Sequence, residues 1–165
     1  EPVVRMLMNN FHSPMTSSVG RLFDAVAWLL RVAVYNSYEG QSAMQLEFAI
    51  THDPRAVAYP LPLVGRMLDW GPLLEALLAD RDSGVQVGVI AARFHRALVE
   101  GIVSVARESG IPRVALTGGC FQNKWLTELA VVRLREEGFA VYWHEKVPAN
   151  DGGLALGQIW STRCV

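Results

Sequence analysis

Cysteine and charge are both scarce in this sequence. Its 165 residues hold two cysteines, Cys120 and Cys164, too few for a disulfide framework and without metal-ligand spacing. That pattern points to a reducing, cytoplasmic setting. Charged residues make up 19%, the net charge is −1 and no long basic run occurs. A broad electrostatic grip on nucleic acid is thereby disfavoured, although a local site stays open. Long hydrophobic runs are missing too: stretches such as Ala25 to Leu30 are far short of a membrane span. No signal-peptide pattern opens the chain. Neither Glu1-Pro2-Val3-Val4 nor Thr162-Arg163-Cys164-Val165 carries a cap or tail, so the sequence reads as one partial domain, 1–165, cut from something longer. The histidines His12, His52, His95 and His144 are scattered, without HxxxH or HExxH spacing.

What is present is apolar: 51% of the residues are hydrophobic, enough for a sizeable core and too many for a disordered chain. Residues 1–110 read as mostly helical. Phe23, Val26, Ala27 and Leu30 recur at i, i+3, i+4 and i+7, one helix face, with Ser17 or Ser18 as N-cap and Thr16 as a further option. A second helix is predicted from near Ser42 to Ile50, ended by Asp53-Pro54. The proline- and glycine-rich residues 54–72 read as loop with a short strand at Tyr59 to Val64. A short helix follows at Leu73 to Asp80. A long helix from Gly84 or Val85 to Ser109 buries Ala91, Phe94, Leu98, Ile102, Val105 and Ala106, and Gly110 with Pro112 stops it.

From about residue 111 the pattern turns α/β. Arg113 to Thr117 reads as a strand running into Gly118-Gly119. Then come a helix at about Asn123 to Glu137, with Trp125, Leu129 and Val132 at i, i+4 and i+7, a strand at Phe139 to His144, a loop at Val147 to Gly153 and a helix at Leu154 to Thr162. The two strands are expected to be parallel, joined by a right-handed crossover. Trp28, Trp70, Trp125, Trp143 and Trp160 read as core, and His95 as a packing or surface residue.

Thr117-Gly118-Gly119, leaving a strand and entering a helix, lets backbone approach a ligand closely. The N–H groups and dipole of the following helix start would favour an anion. A tight bend needing glycine for geometry alone explains the pair equally well. Asn150-Asp151-Gly152-Gly153 also lies between strand and helix, and loops beyond strand carboxyl ends line the crevice of an open α/β sheet. Asp151 could be a hard oxygen ligand or simply the N-cap of the last helix. Asp24, one turn into its helix after Gly20, could accept from ribose hydroxyls or be a solvated first-turn acid. Glu39 in Tyr38-Glu39-Gly40-Gln41 carries the same pair of readings. Cys120 could be a thiolate nucleophile at a helix start, but reads better as a small residue packed under the turn.

Taken together, the ordered blocks resemble one family. They are Thr16 to Ala27 (Thr-Ser-Ser-Val-Gly-Arg-Leu-Phe-Asp-Ala-Val-Ala), Tyr38-Glu39-Gly40-Gln41 through Glu47, Ala92-Arg93-Phe94-His95, Leu116-Thr117-Gly118-Gly119-Cys120-Phe121-Gln122-Asn123, and Val147-Pro148-Ala149-Asn150-Asp151-Gly152-Gly153 through Gln158. The family is that of the hydrogenase maturation carbamoyltransferases (HypF type). Arg31 stands where that family commonly has glycine, and Ser42 where it commonly has alanine.

The resemblance implies an α/β fold, the C-terminal lobe of an actin/Hsp70/sugar-kinase-like domain with a mostly helical N-terminal two thirds. It also implies the activity. ATP-derived carbamoyl-adenylate passes its carbamoyl group to the C-terminal cysteine of a maturation partner (HypE type), towards the cyanide ligand of the [NiFe] hydrogenase iron. By the same resemblance Gly118, Gly119 and Asn123 contact the nucleotide, and Gly20, Asp24 and Glu39 surround the nucleoside. Asp151 would ligate a divalent metal (Fe, Zn or Mg), completed by two histidines of a preceding lobe whose paired-His motif this chain does not contain. No catalytic residue is assigned, and the chain alone is expected to be inactive and prone to self-association. Two other readings remain: an O-carbamoyltransferase of natural products or a tRNA threonylcarbamoyl-adenosine relative on the same fold, and a non-catalytic nucleotide-binding module.

Overall fold

The computed structural model describes residues 2–51 and 56–162. The expected stop at Asp53-Pro54 therefore lies outside the described residues, as do His52 and Cys164. Helix α1 (Pro2–Met8) buries none of its side chains. Helix α2 (Val19–Leu29) is capped by Ser18, whose hydroxyl accepts from the Arg21 N–H, and it buries Phe23, Val26 and Ala27. Helix α3 (Gln41–Phe48) starts at Gly40 and packs on α2. Its buried Ser42 donates to Asn36 Oδ1 at 2.6 Å, which gives the unusual hydroxyl its partner.

The single strand expected at Tyr59 to Val64 is instead a small antiparallel hairpin, β1 (Leu63–Val64) with β2 (Met67–Leu68). Gly65 supplies the positive φ of the turn. Tyr59 lies outside it, buried, donating its hydroxyl to Asp80, which also accepts from Arg93 at 2.6 Å. Helix α4 (Gly71–Asp82) takes Pro72 into its first turn and so begins earlier than expected, because proline needs no N–H partner there.

Helix α5 (Val87–Ser109) is the axis of the molecule, with twelve buried residues, and α4, β1 and helix α6 (Lys124–Glu136) pack on it. Gly88 allows α5 to start against the end of α3: a Cβ there would meet the Ala49 carbonyl oxygen at 2.6 Å. Val105 departs from the expected stripe and is 46% exposed. Strands β3 (Arg113–Leu116) and β4 (Ala140–Trp143) pair in parallel, Arg113 with Ala140 through Leu116 with Trp143, as expected. Helix α6 makes the crossover between them. A final helix, α7 (Leu154–Ser161), buries no residue.

The stripe of α6 is not the expected Trp125, Leu129 and Val132 but Leu126, Ala130, Val131 and Leu134. The reason is an anchor one residue before the helix. Asn123 Nδ2 meets His95 Nε2 on α5 at 2.9 Å, which turns the face at +3, +7 and +11 from Asn123 toward α5. Asn123 Oδ1 accepts from the Leu126 N–H at 2.8 Å and so caps α6 as well. The tryptophans correct another expectation. Trp28, Trp70 and Trp160 are more than half exposed, Trp28 because the 23/26/27/30 stripe leaves it on the opposite face of α2.

His95 is fully buried. Its Nδ1 lies 2.8 Å from the Ala91 carbonyl, which can only accept, so the proton sits on Nδ1 and Nε2 accepts from Asn123. Phe23, Phe94 and Trp125 surround the ring edge-to-face at 5.3, 5.6 and 5.5 Å. Burial among them holds the imidazole neutral, with its pKa lowered to about 4. In the unfolded chain the ring takes up a proton near 6.5, so stability is full above that pH and is lost as pH falls toward about 4. The loss expected is on the order of 3 kcal/mol. Nuclear magnetic resonance should find the His95 ring neutral at pH 5.5; a midpoint near 6.5 would contradict its burial.

Arg31 has φ +56°, with its N–H donating to Trp28 O at 3.0 Å, the left-handed position that closes α2. Glycine would hold that backbone angle without strain. Arg31→Gly is expected to raise stability by about 0.5–1 kcal/mol in urea unfolding. A loss of stability would show that the arginine side chain outweighs its backbone strain.

Candidate functional site

Two helix faces and two loops enclose an open cavity of about 650 Å³. From α2 come Gly20, Phe23 and Asp24, at i, i+3 and i+4; from α3 and its cap come Gly40, Ala43, Met44 and Glu47, again at helical spacing. The glycine turn after β3 contributes Gly119, Cys120, Gln122 and Asn123, and the loop after β4 contributes Asn150 and Asp151. Of the residues singled out from the sequence, Gly20, Asp24, Glu39, Gly119, Asn123 and Asp151 line this one cavity, and Gly118 does not.

Gly118 works behind the wall. Its N–H donates to the Ala149 carbonyl at 2.8 Å, tying the first glycine turn to the second loop. With φ 106° and ψ 159° it occupies a region reserved for glycine. The chain then makes a 3-10 turn, Gly119–Gln122, before α6 begins. The Gly119 and Cys120 N–H groups open that turn and have no hydrogen-bond partner among the described residues. At this end of the cavity both are donors available to an anion.

The start of α6 is not available in the way the sequence suggests. Its Leu126 N–H is taken by Asn123, and its Trp125 N–H donates to Glu47 Oε1 at 2.9 Å. The helix dipole is therefore met by the protein's own carboxylate. Asn123 is 7% exposed, and both ends of its amide are engaged, by Leu126 and His95. It borders the cavity and shapes it from below.

Asp151 is exposed and has no hydrogen-bond or ion-pair partner among the described residues. The capping role belongs to its neighbour Asn150, whose Oδ1 accepts from the Gly152 N–H at 3.1 Å. That leaves both oxygens of Asp151 free at the cavity edge, fit to be one ligand of a metal. Among the described residues, no group of three or more His, Cys, Asp or Glu side chains converges to complete such a set.

Asp24 is ion-paired and still able to accept. Arg21 Nη2 stands 2.9 Å from Asp24 Oδ2, one turn away. That buried oxygen makes no aligned hydrogen bond, so a ligand hydroxyl could donate to it. Beside Gly119, Cys120 is half-buried and its thiol pKa is raised by burial, against the thiolate reading. Beyond the strand ends Thr117 Oγ1 meets His144 Nε2 at 3.0 Å, both exposed.

Glu47 and Asn150 are cavity residues that motif reasoning passed over. Glu47 could have been found by counting helically from Gly40, which puts residues 43, 44 and 47 on one face.

A family described as carbamoyltransferase, Kae1-like domain, second subdomain, matches residues 1–158. The chain is similar to carbamoyltransferase HypF of Synechocystis sp., 38% identical over 160 residues, covering 94% of the chain and 21% of that protein. For carbamoyltransferase HypF of Rhodobacter capsulatus the identity is 40%, covering 93% and 20%. The chain thus spans about a fifth of the length of these curated relatives. A tRNA N6-adenosine threonylcarbamoyltransferase of Syntrophotalea carbinolica is 28% identical, covering 87% and 44%. Among solved structures, full-length HypF in its phosphate- and nucleotide-bound form superposes with a TM-score of 0.87 at 34% identity, covering 95% of the chain and 22% of that one.

Gly118→Ala is expected to cost about 1–3 kcal/mol, since no space is lacking around it and only its backbone angle forbids a side chain. The cost should also appear as faster amide exchange at Gly118, whose bond holds the two loops together. Unchanged stability and exchange would show that the turn relaxes without glycine.

Proposed function

This chain belongs to the HypF carbamoyltransferase family, as the second subdomain of its Kae1-like domain, and on that premise we propose that it forms the nucleotide-holding wall of a carbamoyl-transfer site. The fold under this reading is the C-terminal lobe of an actin/Hsp70/sugar-kinase-type domain, and the opposing lobe comes from the rest of a longer protein. One observation carries the reading: residues from four separate stretches, including Asp24, whose Oδ2 accepts no aligned hydrogen bond, share a single cavity.

The chemistry divides along that cavity. Asp24 accepts from ribose hydroxyls and Glu39 lies around the nucleoside. The Gly119 and Cys120 N–H groups, with no internal partner, face the phosphate of carbamoyl-adenylate. A thiolate sulfur of the partner's C-terminal cysteine attacks the carbamoyl carbon. The bond from that carbon to the phosphate oxygen breaks, and adenylate leaves with the electron pair. Fixed N–H donors on the phosphate stabilise the charge that grows there. Asp151 would be one oxygen ligand of a divalent ion, which when bound supplies positive charge beside the phosphate. The solved HypF structure holding nucleotide and phosphate supports such a ligand.

A maturation protein with an acceptor cysteine, a cytoplasmic setting and [NiFe] hydrogenase maturation as the process belong to this reading. No described helix is long and apolar enough to cross a membrane. The exposed Leu154, Leu156, Ile159 and Trp160 of α7 would favour self-association of the chain on its own. The tRNA threonylcarbamoyl reading comes second, on its lower identity of 28%.

The test is Asp151→Ala in the full-length protein, assayed for carbamoyl transfer from carbamoyl phosphate and ATP to a C-terminal cysteine acceptor. Transfer should fall about tenfold or more, with the melting temperature unchanged because the side chain is exposed and unbonded. Undiminished transfer would remove Asp151 from the site.

A further inference from the structure

The walls of the cavity are unlike one another in charge. Its charged side chains are Asp24, Glu39, Glu47, Asp151 and one cation, Arg21, which already faces Asp24. A polyanion cannot lie along four carboxylates. The Gly119 and Cys120 N–H groups at the glycine turn are without a hydrogen-bond partner among the described residues, so phosphate is placed at that end. The α2 and α3 walls, which carry Asp24, Glu39 and Glu47, are left for the uncharged nucleoside.

Glu47 differs from the other acids of those walls. Asp24 faces an arginine one helical turn away, and Glu39 is exposed beside the cap of α3. Glu47 is half-buried in the second turn of α3, and its Oε1 is fixed by the Trp125 N–H at the start of α6. Its other oxygen has no hydrogen-bond or ion-pair partner among the described residues. The result is a rigid carboxylate with one free acceptor, bordering a nucleoside-sized space.

We infer that Glu47 is a specificity-determining residue of this site, accepting a hydrogen bond from the exocyclic amine of an amino-bearing base. The inference rests on the nucleoside-binding reading above and deepens it. With Asp24 taken by ribose, Glu47 is the remaining fixed acceptor, and it offers nothing to a base that presents a carbonyl. Adenine carries an amine where hypoxanthine carries an oxygen. Two acceptors would then face each other, and a site built around a donor rejects the analogue lacking it.

The experiment compares ATP with ITP, the inosine analogue, in calorimetric titrations of the full-length protein, wild type and Glu47→Gln. The wild type should bind ATP about tenfold or more tightly than ITP. Glutamine keeps an oxygen for the Trp125 N–H and can turn its amide toward a carbonyl, so the ratio in Glu47→Gln should shrink to about twofold or less. Equal binding of the two nucleotides by the wild type, or an undiminished ratio in Glu47→Gln, overturns the assignment while leaving the nucleotide site in place. Absence of ATP binding in the wild type overturns both. Should Glu47→Gln not fold, the ratio is read in Glu47→Asp, where the shortened carboxylate withdraws from the base and the preference must again narrow; an unchanged ratio there overturns the assignment equally.

Discussion

The contact between His95 and Asn123 sets the rest of the arrangement. It joins the middle of the longest helix to the residue that caps α6, with both residues buried. A buried imidazole and a buried amide are each costly if left unsatisfied, and here every polar atom has a partner: Ala91 O, Asn123, His95 and the Leu126 N–H. The bond fixes where α6 starts and which face it turns to α5. The 3-10 turn before α6 is thereby pinned, and Gly119 and Cys120 present their N–H groups at its open end. Site geometry is thus a consequence of core chemistry in this molecule.

Glu47 repeats that logic at the next layer. Its carboxylate reaches 78 residues along the chain to the Trp125 N–H, closing the first turn of α6 from the α3 side. Between them, Asn123 and Glu47 occupy the helix start that an anion would otherwise seek. Both residues border the cavity, so the interactions that hold the layers together also shape its walls. Carboxylates on the α2 and α3 side and unpaired N–H groups at the glycine turn make those walls unlike one another.

Much of this was legible in sequence where short-range rules govern. The Ser18 cap, the 23/26/27/30 stripe, the Gly110 stop and the parallel pairing of two strands around a crossover helix all follow from local pattern. The site residues were legible as ordered blocks rather than through their individual chemistry: Gly118-Gly119 alone left a bend and a cradle indistinguishable. What escaped is long-range. The rotation of α6 depends on a histidine 28 residues away from Asn123, which periodicity cannot see. Trp28 and Trp70 were read as core because tryptophan is apolar, although which face they occupy is decided by packing.

Arg31 shows how a departure from a family pattern becomes physical. Arg31 falls between the ordered blocks and does not line the cavity. In the structure it sits at positive φ, where the backbone closes α2. Ser42 is the opposite case, since a hydroxyl in place of a methyl is absorbed by Asn36 at 2.6 Å. The same discrimination applies to the site. Gly118 is required by its own backbone angle, whereas a Cβ on Gly20 would meet only Ser18 Oγ at 3.4 Å, an ordinary contact. The chain's packing therefore does not demand glycine at position 20. What a side chain there would take is room in the cavity that Gly20 lines.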